Sequence, residues 1–204
     1  RAAVTFWPDL HTQPALEQLT PFADRIPPIL CLQNGVENED VLRSVLGEAR
    51  VIPGSVTSAI GRTAPGCVVV ERLRGVGISS NHPLSPRLQH WFELSGLNPS
   101  LYSIPLAMKW SKMLTNLMAN ASSAILNMTP GEVFSHPGLY HLEILQMREA
   151  LTVMQGLGLY PVDLPKTPVK ALSFLIRALP EGLSHPLLQR AISGGRGAKM
   201  PSFH

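Results

Sequence analysis

The sequence lacks any long apolar run, any block of like charge and any pattern of paired cysteines, and each absence closes off a class of protein. No stretch in the 204 residues approaches the roughly 18 to 20 apolar residues of a bilayer span. No basic-then-apolar leader opens the chain, so no membrane partner is expected and the cytoplasm is the expected location. The 17 Lys and Arg against 14 Asp and Glu give a net charge of +3 and a pI near 9.1. These charges are scattered and are not interleaved with aromatics, which make up only 6% of residues, so a nucleic-acid partner is not expected. Cys31 lies in an apolar run and Cys67 heads another, which reads as two small buried hydrophobes in a reducing compartment. The seven histidines show no HxxxH or HxH spacing, and His82, His136 and His185 each precede proline, a loop or turn signature, so no metal site is expected. Ser79-Ser80 and Ser122-Ser123 lack the context of a nucleophile elbow.

What remains is a globular composition, 45% hydrophobic with mean hydropathy +0.12, enough for one large domain or two small ones. The first part alternates helix and strand. Pro14 to Phe22 has helical spacing, and Ile29 to Gln33 is a short apolar run between Pro27-Pro28 and Asn34-Gly35, which predicts a buried strand. Glu37 to Leu46 carries acids early, Arg43 late and Gly47 just beyond, the charge order a helix dipole favours. Asn34-Gly35 therefore joins a strand to a helix. Val51 to Ile60, Cys67 to Leu73 and Val76 to Ser79 read as antiparallel strands added to a mostly parallel sheet. Ser85 to Ser95 reads as an amphipathic helix (Leu88, Trp91, Phe92), with Trp91 and Trp110 as core anchors, and Leu101 to Ile104 as a last strand. From Pro105 onward the pattern is helical: 105–127, 137–157, 168–179 and 186–192. The expected division is an α/β part over 1–104 and an all-α part over 105–204.

The segment from Pro105 to Asn127 is apolar around most of its circumference, yet Lys109, Lys112, Asn116, Asn120, Ser123 and Asn127 recur at steps of three and four. They would form one stripe along a continuous helix. A solvated face is the ordinary explanation, but such faces favour Glu, Lys, Arg and Gln, and asparagine is a poor former in a helix interior. A structural polar network and a functional stripe both fit. Amides at 116 and 120 could hold hydroxyl and carboxylate oxygens, and a lysine at an apolar mouth can serve as a general acid.

The texts LQNGVENED, MKWSKMLTNLMAN and GGRGAKMPSFH together resemble the ketopantoate reductase (2-dehydropantoate 2-reductase) family along nearly the whole chain. Lysine followed by asparagine four and eight residues later is the most specific of the three. The resemblance implies a partial doubly wound, Rossmann-like NADP-binding domain lacking its first βαβ unit, followed by a helical substrate and dimerisation domain. It implies NADPH as cofactor and a small-molecule 2-keto acid as substrate. In that family the lysine matching Lys112 protonates the keto oxygen as hydride is delivered. The asparagines matching Asn116 and Asn120 line the substrate pocket, and the one matching Asn34, with Gly35 beside it, lies near the nicotinamide.

The sequence also departs from the family pattern. No GxGxxG follows a strand, and the 194–197 glycine patch reads as an interhelical loop. Phe6, Trp7, Pro8 and Asp9 stand where a family lysine is usual, and Lys199 stands where many members have serine, read here as solvated. The chain starts at Arg1 without an initiator methionine and stops at His204, short of the family's substrate-binding glutamate. A fragment truncated at both ends, inactive alone, is therefore expected. A related 2-keto acid dehydrogenase of the same plan stays open, as does a non-catalytic helical interaction module. A homodimer also stays open.

Overall fold

The structure, a computed structural model, describes residues 3–5 and 12–193. They divide into two compact units, one of residues 1–112 with 162–167 and one of 113–161 with 168–204.

The first unit is built on a mixed five-stranded sheet of order β1-β2-β3-β6-β7. Its strands are β1 (Ala3–Thr5), β2 (Ile29–Cys31), β3 (Val51–Val56), β6 (Val76–Ser79) and β7 (Pro99–Tyr102). β1, β2 and β3 run parallel, β6 lies antiparallel to β3, and β7 returns parallel to β6. The β6–β7 crossover carries helix α3 (Ser85–Leu94), as a parallel connection requires. Helices α1 (Thr12–Leu19) and α2 (Asn38–Leu46) pack with β2 and β3. One side of the sheet buries Leu16, Ile29, Cys31, Leu42, Leu46 and Val51; the other buries Leu30, Ile52, Val76, Ile78 and Leu88. Each fully buried side chain of this kind contributes roughly 1.5–3 kcal/mol. Adjacent residues of β2 serve opposite cores because side chains alternate along a strand.

Several local readings change. The run from Val51 to Ile60 is two strands, not one. At Thr57 and Ser58 the chain leaves the sheet, because Ser58 Oγ accepts the Arg74 and Gly75 amides at 3.1 Å each and Thr57 Oγ1 donates to the Gly75 carbonyl at 3.0 Å. Side-chain hydrogen bonds here replace a ladder. Beyond them β4 (Ala59–Ala64) and β5 (Cys67–Arg72) form a separate hairpin outside the main sheet. Cys67 is exposed there, so only Cys31 behaves as a buried hydrophobe. Helix α1 gives way at Leu19 to a 3-10 turn over Thr20–Arg25, whose end is held by Arg50 donating to the carbonyls of Ala23, Asp24 and Ile26. Trp91 is 40% exposed under the Arg87 guanidinium at 4.5 Å, and Phe92, not Trp91, packs against the core.

A late stretch of chain completes this unit. Residues 162–167 close through a Leu164–Thr167 bridge. The Asp163 carbonyl accepts from the Tyr102 hydroxyl at 2.9 Å, and the Val162 amide donates to buried Ser111 at 2.9 Å. No periodicity announces this return.

The second unit holds the end of α4 (Pro105–Leu117) and helices α5 (Asn120–Leu126), α6 (Pro130–Ser135), α7 (Pro137–Gly156), α8 (Val169–Ala178) and α9 (Glu181–Ser193). Helix α6 starts on a capping box, Thr129 with Glu132, a pairing that satisfies two otherwise orphaned amides. Phe134 meets Tyr140 edge-on at 5.8 Å, and Tyr140 bonds Ser184 at 2.5 Å. His185 lies inside α9 and contacts the Phe134 carbonyl at 2.7 Å, so it is a packing residue and not a loop histidine. Arg148 donates to the Ile176 and Leu179 carbonyls and so caps α8. No described helix is long and apolar enough to cross a membrane.

Gly75 is the tightest joint of the first unit, since a Cβ there would collide with the Asn98 carbonyl oxygen and stand 2.5 Å from Pro165 Cβ. Gly96, at φ +69°, has open space around it. Gly75→Ala is expected to destabilise the chain by about 2–3 kcal/mol through overpacking, and Gly96→Ala by about 1 kcal/mol through backbone strain alone. Urea unfolding of the two variants checks the order; equal costs would contradict this account.

Candidate active site

The carboxyl end of β2 carries a buried polar cluster. Gln33 follows the strand at 4% exposure, and Thr12, Asn38, Glu39 and Lys109 are 2%, 9%, 4% and 3% exposed. Gln33 Nε2 donates to Thr12 Oγ1 at 2.7 Å, Thr12 donates to Asn38 Oδ1 at 3.2 Å, and Asn38 Nδ2 donates to the Asn34 carbonyl at 2.7 Å. This chain of bonds supports the Asn34-Gly35 turn from beneath. Asn34 itself is exposed and Gly35 half-buried, and Gly35 takes φ 87°, the left-handed conformation glycine enters without a Cβ clash.

Lys109 completes the cluster. Its ammonium lies 2.8 Å from Glu39 Oε1 and donates to the Gln33 carbonyl at 2.6 Å and the Gly54 carbonyl at 3.3 Å. The ammonium thus donates hydrogen bonds to the end of β2 and to β3 and is ion-paired with α2, where Glu39 Oε1 makes the charge contact without hydrogen-bond geometry. Removing one partner of such a pair leaves an uncompensated buried charge, at a cost of roughly 3–5 kcal/mol. Lys109 is therefore not part of a surface stripe, and Glu39 is more than a favourable charge at a helix start. The only sequence signal for either was a lysine set among apolar helix positions.

The stripe is also not continuous. Lys112 and Asn116 are one turn apart in α4 and half-buried, so helix geometry places them on one face. Lys112 is the last residue of the first unit in this part of the chain, and Asn116 and Asn120 belong to the second. After Leu117 the helix breaks, with Ala119 in the left-handed region at φ 58°, and Asn120 opens a new helix. Glu143, 1% exposed, holds that break by accepting the Ala119 amide at 2.7 Å and the Ser122 hydroxyl at 2.5 Å. Asn120 Oδ1 is buried with no hydrogen-bond partner among the described residues. Ile125, read as apolar packing, is 81% exposed beyond the break. Lys199, the 194–197 patch and residues 6–9 lie outside the described residues. Among those described, no group of three or more His, Cys, Asp or Glu is placed to hold a metal ion.

Burial, reinforced by the Glu39 carboxylate, pushes the Cys31 thiol from 9.0 up to about 12, and burial pushes the Tyr102 hydroxyl from 10.0 up to about 12. Both groups give up a proton more readily in the unfolded chain. Their contributions to stability are therefore complete below pH 9 and are lost as pH rises, from about 9 for Cys31 and about 10 for Tyr102, toward 12. Denaturant midpoints should fall over that window, and Cys31→Ala should remove the part that begins near pH 9. In the native chain at pH 8, iodoacetamide should modify exposed Cys67 and spare Cys31, as mass spectrometry would show; equal labelling would contradict the burial.

Residues 4–81 match the ketopantoate reductase PanE/ApbA family, and residues 106–190 match its C-terminal region. A 2-dehydropantoate 2-reductase of Streptococcus pyogenes is 26% identical over 111 residues, covering 52% of this chain and 36% of that protein. The chain thus spans little more than a third of the curated relative it matches. A PanE/ApbA family ketopantoate reductase from Ralstonia eutropha superposes with a TM-score of 0.77 at 22% identity, covering 98% of this chain and 60% of that one. A D-mandelate dehydrogenase, solved with NADH and anilino(oxo)acetate, gives a TM-score of 0.70 at 17% identity, covering 84% and 56%. With both segments matched in order across most of its length, and the fold agreeing, the chain belongs to the ketopantoate reductase PanE/ApbA family.

Proposed function

We propose that this chain forms part of an NADPH-dependent 2-dehydropantoate 2-reductase, which reduces the keto group of a 2-keto acid to a hydroxyl. The supporting observation is the Asn34-Gly35 turn at the carboxyl end of parallel strand β2, riveted through Gln33 to the helix that carries Lys112. Ligands of open α/β sheets bind outside the carboxyl ends of their strands, and here a candidate proton donor stands on a helix fixed to that end.

The turn suits the nicotinamide end of the cofactor, because Asn34 offers an exposed amide and Gly35 allows close backbone approach. The glycine-rich turn that would hold the pyrophosphate is not in this sequence. A nicotinamide cofactor bound at this turn would supply the hydride for the keto carbon. Lys112 then supplies the proton: as that carbon is reduced, negative charge grows on its oxygen, and the ammonium of Lys112 transfers a proton to it. Asn116 and Asn120 hold the substrate oxygens. The unpartnered Asn120 Oδ1 suits a hydroxyl donor, since a buried acceptor left without one costs roughly 1–3 kcal/mol. Ketopantoate is the 2-keto acid that the family match favours as substrate. The helical part from residue 105 serves the substrate and a homodimer, a role that fits apolar side chains it leaves exposed, such as Phe174 at 65% and Leu142 at 54%.

In the complete protein that contains this chain, Lys112→Ala should lower kcat for NADPH-dependent ketopantoate reduction by at least about 100-fold, read as loss of NADPH absorbance. Turnover within a few-fold of the parent would remove Lys112 as proton donor. The 204-residue chain by itself should show no such turnover, since its sequence holds no phosphate-binding glycine turn.

A further inference from the structure

The Lys109–Glu39 pair is costly to bury, so its geometry calls for a reason beyond stability. Replacing a buried ion pair with apolar residues of similar volume is often neutral or stabilising. The ammonium is held by this ion pair and by two hydrogen bonds to fixed backbone carbonyls. Two of those partners lie on the segment that frames the Asn34-Gly35 turn: the Gln33 carbonyl immediately before it, and Glu39 just after Asn38, whose side chain holds the Asn34 carbonyl. The third, the Gly54 carbonyl, belongs to β3 beside it. The lysine itself stands in α4 three residues before Lys112, which is about one helical turn. One buried cation therefore joins both flanks of the turn to the helix that carries Lys112.

We propose that Lys109 and Glu39 are positioning residues for the reaction, setting where Lys112 stands relative to the Asn34-Gly35 turn. This rests on the function proposed above. Neither residue need touch substrate or cofactor. Their effect falls on the alignment of proton donor and hydride site, where a misplacement of about 1 Å can cost on the order of 100-fold in rate. Loss of the pair should therefore lower kcat while leaving ketopantoate capture almost unchanged, the pattern of an interaction that matters mainly in the transition state.

The test uses the double variant Lys109→Met/Glu39→Leu, which removes both charges and keeps apolar bulk. In the complete protein it should melt within a few degrees of the parent, with kcat at least tenfold lower and KM for ketopantoate within threefold. Amide hydrogen exchange over residues 34–38 should be at least tenfold faster. If this variant does not fold, Lys109→Gln/Glu39→Gln, which also removes both charges and leaves no lone buried ion, carries the same readouts. A folded variant with kcat within twofold, with unchanged exchange at 34–38, or with a raised KM at unchanged kcat overturns the proposal. Should the parent itself reduce no 2-keto acid, the proposed function fails, and the exchange measurement, which needs no substrate, still decides whether the pair holds the turn.

Discussion

A lysine ammonium at 3% exposure imposes a constraint that the rest of the first unit must satisfy. It cannot keep its charge away from water unless partners surround it, and here they come from three separate pieces of chain. The end of β2, the first turn of α2, the middle of β3 and the second turn of α4 are thereby made interdependent. Hydrophobic burial on the two sides of the sheet contributes most of the stability, but it tolerates sliding and repacking. A cation held by two directional hydrogen bonds and an ion pair does not. The apolar layers hold the elements together, and the ammonium sets their register at one end.

Other polar side chains, buried or half-buried, stand at the interruptions of regular structure. Ser58 holds the point where the chain leaves the main sheet, Arg50 the end of a 3-10 turn, Arg148 the end of α8 and Glu143 the break between α4 and α5. An interruption exposes amides and carbonyls that have lost their regular partners, and a charged or hydroxyl side chain of fixed position supplies the replacement. Three of the residues assigned to the site also stand at such interruptions, whereas Lys112 and Asn116 lie within α4. Asn34 and Gly35 follow a strand end, and Asn120 follows a left-handed residue that stops a helix. Polar atoms placed there are left facing outward or unpartnered in ways a continuous helix or ladder would not allow.

Much of this was legible in the residues. The apolar run 29–33, the acids and arginine of α2, and the Lys-Asn-Asn spacing each express a local rule, so each element or motif could be located from its own neighbourhood. The departures share a cause. Lys109 looked like one more polar position on a stripe because its partners Gln33 and Gly54 are 76 and 55 residues away. The break at Ala119 was hidden because alanine favours helix, and the carboxylate that stabilises the break lies 24 residues on, at Glu143. Cys67 and Trp91 were read as buried from their apolar neighbours, yet an isolated hairpin and an outward helix face expose them.

By itself the sequence determined the α/β-then-helical plan, the approximate places of β2, β5, β6 and most helices, the family, and the identity of Lys112, Asn116, Asn120, Asn34 and Gly35 as candidates, because periodicity, turn chemistry and motif spacing are properties of neighbouring residues. Only the tertiary structure decided that Lys109 is a buried rivet, that residues 162–167 return to complete the first unit, and that the polar stripe is two segments divided by a break. Those outcomes depend on which distant groups arrive within hydrogen-bond reach, and on the desolvation cost of any polar group that finds no partner when they do.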